Sequence, residues 1–511
     1  MLLSRLGSLG TGLINIPVST PVVITEYYID LFGASSPSGS NVDYTGGTFP
    51  NGANVYMRGR TSYTGSGFTT NTGLIININA NGNVVSSIGL RNNAITSSNS
   101  SGTNNVNGMV TIDTSNNLYI PMNSGIRYTQ PVSPYNSNPT SNRLVKTYAN
   151  ANVQWAKYYN VGSNVSANFI SFAGVGLHTT NLPSISGTAR TLGNVGHPLV
   201  VDSSIFMKLD ANGNITYSDQ FYTSLTATIS QTQVYSSKVS NNHAYLTGIF
   251  TNNVDSNTTS GQSSLSTFVT KYTNGNAFAW CNTLQYVTNG PQHLFTDTVE
   301  YNNEVYVVGT QNSDFYIGSS TSQLGLIIKY NSSGTIVWKY NLPFRSTIDS
   351  INLTSDNRLV CSAIKYLDST STSLRRKIVF EINSSGSIVW MNELKMSSST
   401  GVESSSASYQ VKTSLSGSYI YLSMIYTATG YPYLLKLPNN GNIPSPGAYQ
   451  SYGTYFSYYS LGSISVNTSN VNSINGNTFL SHVTPSITST VDTSNWVSSN
   501  NVTFTTLPTY I

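Results

Sequence analysis

The chain is poor in charge. Its 23 Lys and Arg and 19 Asp and Glu make up 8% of 511 residues, against about 25% in an ordinary soluble domain. With a net charge of +4 and no basic or acidic tract, binding to nucleic acid or to an anionic membrane is not expected. Cysteine is nearly absent. Cys281 and Cys361 stand 80 residues apart, with no CxxC pair and no Cys/His spacing for zinc, so a disulfide framework is excluded and two buried free thiols are expected. No apolar run reaches the ~18 residues of a membrane span. The opening MLLSRLGSLGTGLINIPVS makes a poor export leader, because Arg5 and three glycines interrupt its apolar stretch. Helical stripes at i, i+3, i+4 are also missing. Disorder does not follow from these absences, since aromatics reach 11% and strand formers abound.

A repeat fills the space. Its clearest copy is GLIIKYNSSGTIVW, with Lys329, Gly334 and Trp338 at offsets 0, 5 and 9. RKIVFEINSSGSIVW repeats the frame with Glu381, Gly386 and Trp390, and IFMKLDANGNITY with Lys208, Gly213 and Tyr217. RLVKTYANANVQW carries Lys146 and Trp155, and TFVTKYTNGNAFAW carries Lys271 and Trp280. GLIININANGNVVS has Asn77 and Gly82, and PYLLKLPNNGNIPS has Lys436 and Gly441. Anchors thus fall at 77, 146, 208, 271, 329, 381 and 436, spaced by 52 to 69 residues. Two β-rich runs around an Asn/Ser/Gly turn predict a β-hairpin. The ring at offset 9, present in five of seven copies, predicts packing between neighbouring sheets. The recurrent lysine reads as a long stem over apolar surface with its head in water.

A second motif precedes the hairpins, as in NNEVYVVGT at 302–310 and NNHAYLTGIF at 241–250. It predicts a turn followed by an inner strand. Four-stranded units of this length are propeller blades, with the surplus residues in surface loops such as 131–142 and 179–198.

The tandem of these two motifs resembles the seven-bladed β-propeller repeats of the SBBP kind, most closely over residues 302–338 and in coarser form over about 50–490. That resemblance implies a fold and no fixed activity. The expectation is an all-β propeller over residues 51–511 with seven four-stranded blades. Residues 460–511 would add a degenerate eighth unit or the strand that closes the ring. Residues 1–50, rich in Gly, Ser and Pro, read as an N-terminal anchoring arm.

Sites of chemistry are scarce. No two of the five histidines have metal-ligand spacing, and no GxSxG elbow, phosphate loop or cofactor motif occurs. His293, Asp297 and Glu300 form the densest ionisable group, but spacings of four and seven residues do not put all three on one face of a strand. DANGN at 210–214 lacks the carboxylates of a calcium loop and reads as a turn. The chain has 35 tyrosines, and AYQSYGTYFSYYS gathers Tyr449, Tyr452, Tyr455, Tyr458 and Tyr459. Such a segment suits either a glycan or protein contact face or strand packing.

A nearly uncharged surface, no export leader and a Gly-rich arm before a propeller fit a non-enzymatic virion component such as a tail fibre, knob or capsid decoration. MLLSRLGSLGTG also resembles the start of tailed-phage structural proteins. In this expectation the arm docks on other virion proteins within an oligomeric assembly, the propeller is displayed, and a host-surface glycan is the outside partner. An extracellular bacterial adhesin is the alternative. A propeller glycosidase or lyase is the second alternative, with Asp297, Glu300 and His293 as its candidate groups.

Overall fold

The computed structural model describes residues 27–32, 42–51, 54–65, 68–80, 84–92, 102–106, 110–126, 142–148, 152–161, 169–192, 200–223, 232–240, 242–252, 264–273, 277–284, 292–313, 323–367, 375–396, 406–413, 419–426, 431–439, 450–452, 456–460, 467–468, 473–475, 480–483, 487–491, 496–499, 505–506 and 509–510. These residues are strands and tight turns, and no helix occurs among them.

The strands assemble into seven antiparallel blades. Blade one is Val42–Asn51, Asn54–Gly65, Phe68–Ile78 and Val84–Asn92. Blade two pairs a broken first strand, Gly102–Val106 and Thr111–Ile112, with Leu118–Ile126, then Asn142–Thr147 and Val153–Val161. Blade three is Phe169–Leu177, Pro183–Leu192, Val200–Leu209 and Ile215–Thr223. Blade four is Thr232–Ser240, His243–Asn252, Ser264–Thr273 and Ala277–Leu284. Gln292–Tyr301, Glu304–Ser313 and Leu324–Tyr330 begin blade five. The long strand Ile336–Leu353 completes it, crosses over, and becomes the first strand of blade six with Leu359–Tyr366, Arg375–Ile382 and Ile388–Met396.

Blade seven has three sequential strands, Ser406–Thr413, Tyr419–Tyr426 and Tyr431–Pro438. Its fourth is Tyr27–Phe32, from the other end of the chain. First strands touch in order around a closed ring, the last step joining Ser406–Thr413 to Val42–Asn51.

Four expectations are corrected here. Within the expected arm 1–50, residues 27–32 and 42–50 belong to the propeller, because they supply the outer strand of blade seven and the first strand of blade one. The described residues of the segment 460–511 form neither an eighth blade nor the closing strand. Their short strands instead run around the rim, adding an outer strand to one blade after another in reverse order. Phe456–Ser460 pairs with blade six, Asn467–Thr468 with five, Ser473–Asn475 with four and Leu480–Val483 with three. Ile487–Val491 pairs with blade two and Trp496–Ser499 with blade one. Thr505–Thr506 and Thr509–Tyr510 then lie against Tyr27–Phe32. Within 179–198 the expected loop is largely the second strand of blade three. The NNEVYVVGT motif likewise forms a second strand, one place out from the axis.

The hydrophobic cores lie between blades. One cluster joins Tyr306, Val308 and Ile327 of blade five to Ile351, Cys361 and Phe380 of blade six. Another joins Tyr119, Leu144 and Tyr159 of blade two to Phe172, Ile185 and Met207 of blade three. A single blade has nothing to bury its faces against, so the ring is the stable unit.

The latch at blade seven is testable. Deleting residues 503–511 strips one side of Tyr27–Phe32 of its backbone pairing, at a cost of about 1 kcal/mol per lost hydrogen bond. Unfolding in guanidinium, followed by tryptophan fluorescence, should accelerate on the order of tenfold. An unchanged rate would mean that the rim strands do not hold the ring closed.

Candidate functional site

The repeat residues form a three-strand ladder. Tyr119, Lys146 and Trp155 stand opposite one another on strands two, three and four of blade two. Tyr245, Lys271 and Trp280 do so in blade four, and Tyr306, Lys329 and Trp338 in blade five. Blade seven reads Tyr421, Lys436 and Tyr27, so the N-terminal strand puts a tyrosine at the position where the local sequence offers only Ser445.

Four of the five anchor lysines are buried and Lys208 is half-buried. The ammoniums of Lys146, Lys271 and Lys329 lie 5.1, 5.7 and 5.5 Å from the ring centroids of Tyr119, Tyr245 and Tyr306. All three residues are buried. The expectation of solvated heads fails because an aromatic face attracts a desolvated cation. Lys329 also pairs with Glu304 at 2.6 Å, and Lys436 Nζ donates to Ala80 O of blade one at 3.0 Å.

Tryptophans join blades. Trp155 Nε1 donates to Ala211 O of blade three at 3.2 Å, Trp280 Nε1 to Ser332 O of blade five at 3.0 Å, and Trp338 Nε1 to Ser384 O of blade six at 3.1 Å. Each contacted turn contains a glycine in the left-handed region, with φ of 75° at Gly213, 85° at Gly334 and 87° at Gly386. A Cβ on Gly334 would lie 2.9 Å from the Trp280 ring, and one on Gly386 2.3 Å from Tyr340. Tyr217 packs among Phe206, Tyr272 and Phe278. Trp390 differs, donating to Glu381 of its own blade at 2.7 Å. Arg358 instead makes the bridge to blade seven, reaching Asn439 O at 2.9 Å. Gly82 and Gly441 lie outside the described residues.

The acid/base candidates do not converge. Asp297, fully buried on the first strand of blade five, accepts from Lys238 Nζ at 2.7 Å and Ser236 Oγ at 3.1 Å, both of blade four. It also accepts the backbone N–H of Ile351 of blade six at 3.0 Å and that of Thr298 at 2.9 Å. Four donors occupy its lone pairs and leave none to take a substrate proton. Glu300 faces blade four. Burial raises its pKa, against opposing effects of the Tyr245 hydroxyl and the Lys271 ammonium. Burial lowers the pKa of His293 to about 4. Asp210 is consumed by its turn, accepting the N–H groups of Asn212 and Asn214 at 2.9 and 2.7 Å. Among the described residues no three His, Cys, Asp or Glu gather as metal ligands, and no helix is long and apolar enough to cross a membrane.

The tyrosine-rich segment runs along the outer edge of blade six, with Tyr458 opposite Leu394 and Tyr459 opposite Glu393. Tyr452 pairs with Phe456, while Tyr449 and Tyr455 fall outside the described residues. Sequence reasoning missed what lies beside it. Glu393 is buried between Lys365 Nζ, at 2.9 Å, and Arg376, and Lys377 pairs with Asp349. The only sequence signal was the local density of cations at 375–377.

No known protein family and no curated protein matches the chain. Among solved structures it is similar to Drosophila Semaphorin 1a, extracellular domains 1–2, at 8% identity over 80% of this chain and 88% of that one, with a TM-score of 0.40. Drosophila Semaphorin 2a is similar at 8% identity over 77% and 75%, with a TM-score of 0.35. A Bacteroides caccae protein of unknown function is similar at 10% identity over 62% and 94%, with a TM-score of 0.26. Likenesses of this size say nothing of ligand or activity, and the blade count rests on the strand pairing alone. The chain is an all-β propeller.

Two outcomes follow from this geometry. Gly334→Ala forces a side chain into left-handed backbone and against Trp280, and should cost about 2 kcal/mol in denaturant titration. A loss under ~0.5 kcal/mol would contradict the lock. Glu300 has a folded pKa raised above its unfolded value, so its contribution is present below the unfolded pKa and lost as pH rises through the folded pKa. Glu300→Gln should therefore raise the melting temperature at about pH 8 and leave it nearly unchanged at about pH 4. Equal effects at both pH values would refute the assignment.

Proposed function

We propose that this protein is a non-enzymatic surface component of a virus particle, displaying its propeller for contact with host-surface glycans. The non-enzymatic part is carried by Asp297, the best-placed carboxylate, whose accepting capacity is spent on three blades. The virion part is supported by the charge-poor, Asn-, Ser- and Tyr-rich composition and by the phage-like opening MLLSRLGSLGTG. With Tyr27–Phe32 and Val42–Asn51 taken into blades, the anchoring arm of this reading shortens to residues 1–26. A neutral surface depends little on ionic strength, which suits a particle exposed to variable water.

Mass spectrometry of purified particles encoding this chain should return its peptides at the level of a structural protein. Their absence from particles, with the protein present on a bacterial cell surface, would move the assignment to an adhesin.

A further inference from the structure

The junction of blades two and three holds an amine, an amide and a carboxylate in one chain of contacts. Lys157 lies on the outer strand of blade two, two residues after Trp155, and is buried. Its Nζ donates to Asn214 Oδ1, in the turn of blade three, at 2.6 Å. Asn214 Nδ2 donates in turn to Asp210 Oδ2 at 2.7 Å. Asp210 Oδ1 is spent on the backbone N–H groups of Asn212 and Asn214, so Oδ2 is the oxygen that meets the amide nitrogen. Burial acts to raise the Asp210 pKa, but the Asn214 and Asn212 donors and the Lys157 charge outweigh it and lower the value.

The turn does not require this trio. Blades five and six close the same turn with Asn331 and Thr335 and with Asn383 and Ser387. The place of Lys157, two residues after the tryptophan, is taken in blade four by Asn282, which bridges to Gly334 O at 2.6 Å. In blade two Asp113 and Asn117 make the same acid–amide contact at 2.8 Å. There the amide oxygen meets Gln154 at 2.7 Å, and Gln154 is no nucleophile. At Lys157 the third member is an amine, and amine, carbonyl and carboxylate are the parts of an acyl transfer.

We infer that Lys157 and Asn214 become joined by an isopeptide bond, which the folded chain forms by itself with Asp210 as proton carrier. With a carbonyl bond of about 1.2 Å, Nζ stands roughly 3–4 Å from Asn214 Cγ, close to the separation of a near-attack arrangement. The Lys157 ammonium gives a proton to Asp210, and the neutral amine attacks Cγ. Asp210 returns that proton to Nδ2 as the Cγ–Nδ2 bond breaks, and a second proton from the lysine nitrogen follows it. An ammonium and a primary amide thus become a secondary amide and an ammonium ion, with no oxidant or cofactor. Asn214 is exposed, so the released ammonia has a way out. The bond would tie blade two to blade three beside the contact of Trp155 with Gly213. It is an event within one chain and holds whether or not the propeller is displayed on a particle.

The full-length protein would be weighed whole by mass spectrometry under denaturing conditions, then digested with trypsin. Its mass should fall short of the sequence by one ammonia, and one branched peptide should join the segments around Lys157 and Asn214. Lys157→Arg and Asn214→Ser should each restore the full mass. Asp210→Asn, which copies the turn of blades five and six, should slow bond formation about a hundredfold. Formation at the parent's rate in that variant removes Asp210 from the step. Should a variant fail to fold, the peptide map of the parent decides alone. The full sequence mass in protein held for days after folding overturns the inference. So does an ammonia loss that maps to Asn212, as a cyclic imide with Gly213, while the Lys157 side chain stays free.

Discussion

Neighbouring blades hold together because a large ring on the outer strand of one lies across a left-handed glycine in the turn of the next. Trp155 on Gly213, Trp280 on Gly334 and Trp338 on Gly386 are three instances of this contact. The indole N–H caps a turn carbonyl, and the missing Cβ lets the ring close down on the backbone. The buried lysine beside each tryptophan fills the rest of the junction, its head lying over a tyrosine face and, at Lys329, also paired with Glu304. With the apolar clusters lying between sheets, loss of one junction exposes two blades at once. Stability is therefore shared around the ring.

The repeat made most of this architecture readable. Two apolar runs around an Asn/Ser/Gly turn mark the third and fourth strands of six blades, and in five of them a ring stands nine residues after the anchor. The seventh was only half visible. Ser445 at the ring position does not set it apart, since blade one carries Ser86 there and still has a local fourth strand. The outer strand of blade seven, Tyr27–Phe32, pairs with residues about 400 positions away, and no local pattern reports that partnership. The rim strands were invisible for another reason. Pairings of two to five residues are too short for an alternation of period two to rise above composition.

The candidate site shows the same division. Spacing along one strand raised His293, Asp297 and Glu300 as a group. Their partners, Lys238, Ile351 and Tyr245, sit 50 or more residues away on other strands. The ring, not the local motif, decides that Asp297 is a junction residue. The cations of blade six were legible as residues and illegible as a cluster, because Glu393 meets Lys365 and Arg376 from another strand. Low overall charge thus coexists with a buried ionic cluster, and a whole-chain average conceals it.

Using Tyr27–Phe32 as the outer strand of the last blade has a consequence for how the protein is made. Its partner Tyr431–Pro438 leaves the ribosome roughly 20–80 s later at ordinary elongation rates of about 5–20 residues per second. For all that time the strand is an open edge, and the blades between form with the ring unsealed. Newly made chains are at their most vulnerable to wrong pairing during synthesis, so a fast-acting chaperone or slow dilution should matter more for yield than the stability of the finished molecule.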